Sequence, residues 1–507
     1  MKDPKFPWAG RRALLPAAGS GRRARPLTHD RPKCLLEVNG EPLIVRSARI
    51  LRDELGIRDI VVITGEGAGQ IQAALAAVSD VTFTYVHCAD PSIGLARGVL
   101  LAERHLPESF VTLLPDEVYV EPCHGGLPVP GESTLAICGA IPDADPRLIA
   151  RNYSIRASGR SIESLNEKPK APAAGWLGCG TFGFSPAIFD RIRGASGKGG
   201  TVELIEVLDQ SAQSGRDRVE LFPMSGEYVN VNTVDEWHRA TDLIRAQSTP
   251  TLSVVIPALN EEDSIARVVA DFVPRVDEVL VIDNLSQDRT AERARAAGAR
   301  VETVEVAGYG DALRYGMDHA VGDALVLVEA DHSFRADDLD KLLSFMPSAD
   351  MVIGTRTTRQ LIEQGSNMGP LLRWGNVAVG KLVEALWWSH EPRFTDVGCT
   401  YRALWRSTWH AMRDNTTANG PAFSPEMMIE ALRHHRRVVE VPVSYHARLG
   451  GDSKHSGSFI ASSKTALAML KLIGKKRLGI GRPQNRAAAP GTDTPPKENG
   501  QPTLPGV

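Results

Sequence analysis

The sequence predicts an α/β protein made of two tandem sheet-centred domains with mostly parallel central strands, plus a disordered C-terminal tail. Three observations predict it. Short apolar runs alternate with segments of helical periodicity through most of the chain, the rhythm of strand–helix–strand units. After a short polar segment, AQSTP at 246–250, that rhythm starts again, which places a boundary near residue 249. At 507 residues the chain is also longer than one ordinary core organises. The expected division is 1–248, 249–480 and a tail over 481–507 that is rich in Pro, Gly and polar residues.

The elements follow in order. In the first half ALLPAA, DIVVIT, VTFTYVH and FVTLLPD read as strands, with helical periodicity around 42–54, 67–78 and 94–105. A helix near 233–246 closes that half. LSVVIPALNEE opens the second cycle, and EVLVID, ARVETVEV, ALVLVEAD and MVIGT are its further strands. A formal charge of −3 argues against a general nucleic-acid binder. Six cysteines without a CxxC pair give neither a zinc site nor a disulfide framework and suit a reducing cytoplasm. The N-terminus lacks the apolar core of a signal peptide, and no run of about 18 uncharged apolar residues marks a spanning helix. The nearest candidate, MGPLLRWGNVAVGKLVEALWW, carries Arg373, Lys381 and Glu384 and reads as a surface-lying segment.

The first chemistry-bearing stretch is AAGSGRRARPLTHDRPK. It satisfies the dinucleotide pattern G-x-G-x-x-A, with Glu41 downstream, but Pro26 interrupts the helix that pattern needs. Arg22, Arg23, Arg25, Arg31 and Lys33 supply more positive charge than a pyrophosphate on a helix end requires. Such density suits a triphosphate whose leaving pyrophosphate must be stabilised; a solvated basic loop is the plain alternative. A-G-x-G-x-R-x-x-P-L-T followed by P-K-x-L-L resembles the signature of sugar-phosphate nucleotidylyltransferases over roughly residues 11–245. The resemblance implies phosphate binding by Gly19, Gly21, Arg23 and Lys33, and base and ribose contact at Gly94. It also implies metal binding at Asp116 in LLPD and Asn230 in YVNVNTVDEW, and a sugar site at Glu167 and Lys168 in NEKP. Taken singly, Asp116 could cap a strand end and Glu167 could be a surface charge. Relatives usually have Asp at the position of Asn230, and Tyr-Gly where this chain has Tyr153-Ser154.

In the second half three strands in succession end in acidic or amide residues: Asn260 and Glu261, then Asp283, then Glu329 and Asp331. Carboxylates one residue apart at a strand end can both face a cleft and chelate a divalent ion. Ser286 and Asp288 read equally as helix caps. With GYGDALRYG, IGTR, RWGN, TDVGCTYRAL, FSPE and EVPVSYHARLGGDSKHS, the ensemble resembles inverting GT-A glycosyltransferases over about 252–456. It is most similar to the dolichyl-phosphate mannose synthase-like, polyprenyl-phosphate group. That resemblance assigns Pro257, Asn260, Glu261 and Asp283 to the nucleotide, and Glu329 and Asp331 to a metal on the diphosphate. It assigns Arg356, Arg448, Ser453 and Lys454 to the acceptor phosphate or the diphosphate. Asp396 is the candidate base if the acceptor is a hydroxyl, and a helix cap otherwise. FIASSKTALAMLKLIGKKRLGIGR has an apolar face, several Lys and Arg and no acid; it reads either as a helix on an anionic membrane or as a packed terminal helix.

Together the two resemblances imply tandem Rossmann-like nucleotide-diphospho-sugar domains in one bifunctional enzyme. NTP and a sugar 1-phosphate would give NDP-sugar and pyrophosphate, and the sugar would pass, with inversion, to a polyprenyl phosphate. Mg²⁺ (or Mn²⁺) is the implied cofactor, with a peripheral place on the cytoplasmic membrane face, and a homo-oligomer is compatible with the sequence. Two alternatives stay open: a non-catalytic nucleotide-binding first half, or a soluble acceptor. A dinucleotide-dependent dehydrogenase fits neither Pro26 nor the second acidic segments.

Overall fold

The computed structural model describes residues 6–19, 21–172, 175–196, 202–305, 308–364, 366, 368–449 and 459–479. Its first half is built on nine strands in the spatial order Thr82–His87, Asp59–Thr64, Arg12–Ala17, Phe110–Leu113, Gly175–Phe184, Thr134–Ala144, Arg218–Pro223, Ser161–Glu167 and Tyr153–Ser158. The first four are parallel. Strand Gly175–Phe184 then runs antiparallel to Phe110–Leu113, and the sheet continues in mixed directions. Arg12–Ala17 has the later-forming strands Asp59–Thr64 and Phe110–Leu113 on opposite sides. This is the switch point outside which open α/β sheets collect ligands.

Two of the far strands, Thr134–Ala144 and Gly175–Phe184, carry no alternating signature because their environment removes it. Thr134–Leu135 through Ala140 is buried without interruption, so both faces are small or apolar. GWLGCGTFGF is a strand whose glycines make room for neighbours. A Cβ on Gly178 would lie 1.9 Å from the Tyr153 ring, and one on Gly180 would lie 2.6 Å from Leu114.

The second half has seven strands in the order Arg300–Thr303, Glu278–Asp283, Leu252–Ala258, Ala324–Leu327, Arg402–Trp405, Met351–Thr355 and Val438–Pro442. All neighbours are parallel except where Arg402–Trp405 runs against both of its own. Leu252–Ala258 is again flanked on both sides by later strands, so Leu259–Glu261 and Glu329–Asp331 leave adjacent strand ends into one cleft. The two sheets have separate apolar cores. Helix Val234–Arg245 joins them and buries Arg245 against the second half.

Helix Phe459–Arg477 packs against helix Phe423–Arg433 with Met469 and Ile473 buried. Lys476 pins it: its ammonium lies 2.8 Å from Glu426 Oε1 and 2.9 Å from Glu430 Oε1, with both carboxylates buried. No helix among the described residues is long and apolar enough to cross a membrane. The expected disordered tail lies outside the described residues.

Candidate active sites

In the first half the signature loop leaves strand Arg12–Ala17 as a single 3-10 turn, Arg22–Ala24, not as the helix a dinucleotide fold would place there. Gly21 sits at φ +59°, and a Cβ on it would meet the Lys33 Cβ at 2.8 Å. Glycine is what lets the loop fold back over Lys33. Gly19 and Arg23 are exposed, and Arg22, Arg23 and Arg25 have no ion-pair partner among the described residues. Lys33 donates to Asp116 Oδ2 at 2.6 Å and to Asn232 Oδ1 at 2.8 Å. Asn232 Nδ2 donates to Asn230 Oδ1 at 2.7 Å, and Asn230 Nδ2 donates to Asn152 Oδ1 at 2.9 Å. The carbonyl of Asn152 accepts from the Lys168 amide at 2.7 Å. One hydrogen-bond chain therefore brings together Lys33, Asp116, Asn230 and the Glu167–Lys168 pair, whose own ion pair is 2.5 Å. Gly94, at φ +85°, stands at the start of helix Leu95–Leu101.

Beside Asp116, Glu117 is buried and accepts from Tyr119, Tyr228 and the Gly180 amide. Burial, followed by the Asp116 charge, raises its carboxyl to about 7. It is a buried support for the strand pair that carries Asp116 and Asn230. Among the described residues no cluster of three or more His, Cys, Asp or Glu could hold a metal unaided. Asp116 and Asn230 nonetheless offer hard oxygen donors only. An ion that keeps phosphate ligands needs just one or two protein carboxylates, and an ammonium already sits at Asp116, so the pair fits Mg²⁺.

In the second half a cavity of about 1270 Å³ opens outside the strand ends. Pro257, Glu261, Asn284, Glu329, Asp331, Arg356 and Arg448 line its polar end. Glu329 Oε1 accepts from Thr400 Oγ1 at 2.7 Å, and Thr400 accepts from the Tyr309 hydroxyl at 2.9 Å. Burial, then the adjacent Asp331, pushes the Glu329 carboxyl up to about 7. Asp331 Oδ1 accepts from the Ser333 amide at 2.9 Å. Its buried Oδ2 lies 2.9 Å from Arg448 Nε, misaligned, and has no hydrogen-bond partner among the described residues. An orphaned carboxylate oxygen beside a second carboxylate fits a divalent cation.

Two candidate residues are engaged by the protein itself. Asn260 does not line the cavity: its amide donates to Ser286 Oγ at 2.9 Å and its Oδ1 accepts from the Gln287 amide at 2.8 Å. It ties two strand-end loops together, while Asp283 is buried and Asn284 takes the cavity wall. Asp396 does not reach the cavity. It is fully buried, takes Arg356 Nε at 2.8 Å and Nη2 at 2.9 Å, and also accepts the amides of Arg356 and Gly398. These four hydrogen bonds engage both of its oxygens and hold the Arg356 guanidinium at the cavity wall. Ser453 and Lys454 lie outside the described residues.

The remainder of the cavity is an apolar arm between helices Pro370–Leu386 and Phe459–Arg477, lined by Leu371, Leu372, Val379, Leu382, Met469 and Leu470. Residues 253–395 match the family Glycosyl transferase family 2, and residues 12–241 match the family Nucleotidyl transferase. A dolichyl-phosphate hexose transferase of Haloferax volcanii is 31% identical over 39% of this chain and 84% of its own length.

The chain belongs to glycosyl transferase family 2.

Its first half carries a nucleotidyl transferase domain. A UTP–glucose-1-phosphate uridylyltransferase of Haloferax volcanii is 27% identical over 47% of this chain and 98% of that protein. A low-salt glycan biosynthesis hexosyltransferase of the same organism is 30% identical over 45% of this chain, which spans 56% of that relative's length. This family 2 transferase therefore unites two enzyme types in one polypeptide.

Sequence reasoning missed Asn152, Asn232, Thr400 and the apolar arm. Asn232 left a signal, since N-V-N places it and Asn230 on one side of an extended segment. Asn152 and Thr400 stand out less, because side-chain hydrogen bonds to residues distant in sequence join them to their sites.

Proposed function

We propose that the first half joins an NTP to a sugar 1-phosphate, releasing pyrophosphate, and that the second transfers the sugar, with inversion, to a polyprenyl phosphate. The observation that carries the reading is the cavity itself. Its polar end has paired carboxylates and two guanidinium groups, and its other end is an apolar arm suited to a lipid chain.

In the first reaction a sugar-phosphate oxygen attacks the α-phosphorus, and the bond to the pyrophosphate breaks. Lys33 and the unpaired arginines of the loop meet the negative charge that accumulates on the leaving pyrophosphate. Asn152 ties the sugar motif at Lys168 to the phosphate end. In the second, an acceptor phosphate oxygen attacks the anomeric carbon opposite the nucleoside diphosphate, whose bond to that carbon breaks. That acceptor is already anionic and needs no base, which agrees with Asp396 being occupied by Arg356. Arg356 and Arg448 face the phosphates. Asp116 with Asn230, and Glu329 with Asp331, would hold Mg²⁺ (or Mn²⁺), which when bound neutralises phosphate charge.

The helices that form the arm and the turn after the first of them expose apolar side chains, among them Leu371, Trp374, Leu382, Trp388 and Leu467. Exposed Lys464, Lys471, Lys475 and Arg477 accompany them. This rim supports peripheral attachment to an anionic membrane face, and six unpaired cysteines support the cytoplasmic side.

The test is a panel of NTPs and sugar 1-phosphates scored for pyrophosphate, then NDP-sugar with vesicles containing polyprenyl phosphate, scored for sugar in the lipid. Asp116→Asn should abolish only the first signal and Asp331→Asn only the second, each by at least about 100-fold. Pyrophosphate release untouched by Asp116→Asn, or sugar delivered only to soluble acceptors, would refute the corresponding half.

A further inference from the structure

The first active site has two halves that meet at Lys33: the signature loop, and the segment Tyr228–Asn232 with the helix that follows. That helix, Val234–Arg245, is fixed to the site at its start. Thr233 Oγ1 accepts from the Glu236 amide at 3.2 Å, and Glu236 Oε2 accepts from the Asn232 amide at 2.8 Å. From there on its inward side chains engage the other domain. Arg245 donates to Asp350 Oδ1 at 2.9 Å, fully buried, with its guanidinium 4.4 Å from the Trp405 ring centre. Arg437 grips Asp242 through both terminal nitrogens at 2.6 and 2.8 Å, while its amide donates to Asp350 Oδ2 at 2.8 Å.

Between these sits Arg436, buried, with its guanidinium 4.8 Å from the Trp237 ring centre. Asp350 and Glu37 are the acidic groups that offset the cost of burying it. Trp237 Nε1 in turn donates to the Glu37 carbonyl at 2.8 Å. Glu37 begins the short strand just after the Lys33–Leu35 turn. Arg436 therefore backs the contact nearest Asn232 among those joining this helix to the segment behind Lys33; farther along, Arg245 Nε donates to Asn39 Oδ1 at 3.3 Å.

We propose that Arg436, a residue of the glycosyltransferase domain, is a positioning residue for the nucleotidyl transferase site. It holds Trp237 against Glu37 and so fixes the Lys33–Asn232–Asp116 geometry. The second domain is then a structural part of the first site. The inference rests on the proposed pyrophosphate-releasing function of that site. Arg436 touches no substrate, so its loss should act on the charge-stabilising geometry. A misplacement near 1 Å in such a site costs about 100-fold.

The test uses the full chain, measuring kcat and KM for pyrophosphate release beside sugar transfer from supplied NDP-sugar. Arg436→Ala should lower kcat for pyrophosphate release by about 10- to 100-fold, leave KM for NTP within about threefold, and leave sugar transfer within about twofold. Arg436→Lys, which keeps a cation over the ring, should recover most of the loss. Trp237→Phe keeps the ring but removes the bond to Glu37, and should lower the same kcat. Unchanged kcat in Arg436→Ala, or a parallel fall of both activities with lowered Tm, would overturn the proposal. If the wild-type chain releases no pyrophosphate from any NTP, the proposed function fails and the positioning role falls with it. An active wild type with a fully active Arg436→Ala refutes the positioning role alone.

Discussion

Lys33 shows how one side chain can organise a site before substrate arrives. Its ammonium holds Asp116 at 2.6 Å and Asn232 at 2.8 Å, so on the proposed function a triphosphate would meet a cation already placed and mostly desolvated. Lys33→Ala should reduce pyrophosphate release at least about 100-fold and leave transfer from supplied NDP-sugar intact, as a two-assay comparison would show. Gly21 sets the same geometry from above. Gly21→Ala forces a left-handed conformation costing about 1–2 kcal/mol and places its methyl against Lys33. It should cut kcat about tenfold or more with little change in Tm. His238 carries a pH signature. Burial lowers its pKa to about 4, although Asp350 lies 3.9 Å away. The folded protein thus prefers neutral His238. That contribution is complete above the unfolded value near 6.5 and is lost as pH falls toward 4. Glu117 and Glu329, both raised to about 7, act in the opposite direction, so the informative quantity is a difference. Tm of the wild type minus Tm of His238→Asn should shrink between pH 6.5 and 4.

At the scale of elements, the C-terminal helix is held by the buried Met469 and Ile473 and by the ammonium of Lys476. Glu426 Oε2 accepts the Thr417 and Ala418 amides at 2.9 and 2.7 Å, in the segment that leads to Asn419, Gly420 and Pro421 at the cavity wall. Lys476→Ala leaves buried Glu426 without its cation, while Glu430 keeps Arg433 at 2.6 Å; breaking a buried pair costs about 3–5 kcal/mol. It should release the helix to limited proteolysis and raise KM for the lipid acceptor while pyrophosphate release stays unchanged. The elements also mark where sequence reading succeeds. DIVVIT, LSVVIPA and EVLVID are short apolar runs, and each is a strand as expected. LLPD and VEAD placed Asp116 and Asp331 at strand ends. GWLGCGTFGF gave no such signal, because its glycines answer to Tyr153 and Leu114 and not to any local preference. Asp396 carried the right residue type for a base, but Arg356, brought in by a neighbouring strand, occupies it. Motifs fix which residues meet a ligand; long-range packing decides which of them are already taken.

At the scale of the molecule, two sheets each place a cleft at a switch point, and helix Val234–Arg245 locks one to the other through buried Arg245 and Asp350. On the proposed function the product of the first site is the donor of the second, and a single chain raises the local concentration of that intermediate. The most direct measurement supplies the purified chain with NTP, labelled sugar 1-phosphate and vesicles bearing polyprenyl phosphate, and follows label into the lipid. The expected result is NTP-dependent lipid label that Asp116→Asn abolishes, that added NDP-sugar restores as lipid-linked sugar, and that Asp331→Asn arrests at labelled NDP-sugar. Lipid label that forms without NTP, or no lipid label from the wild-type chain with any NTP and sugar 1-phosphate, would contradict it.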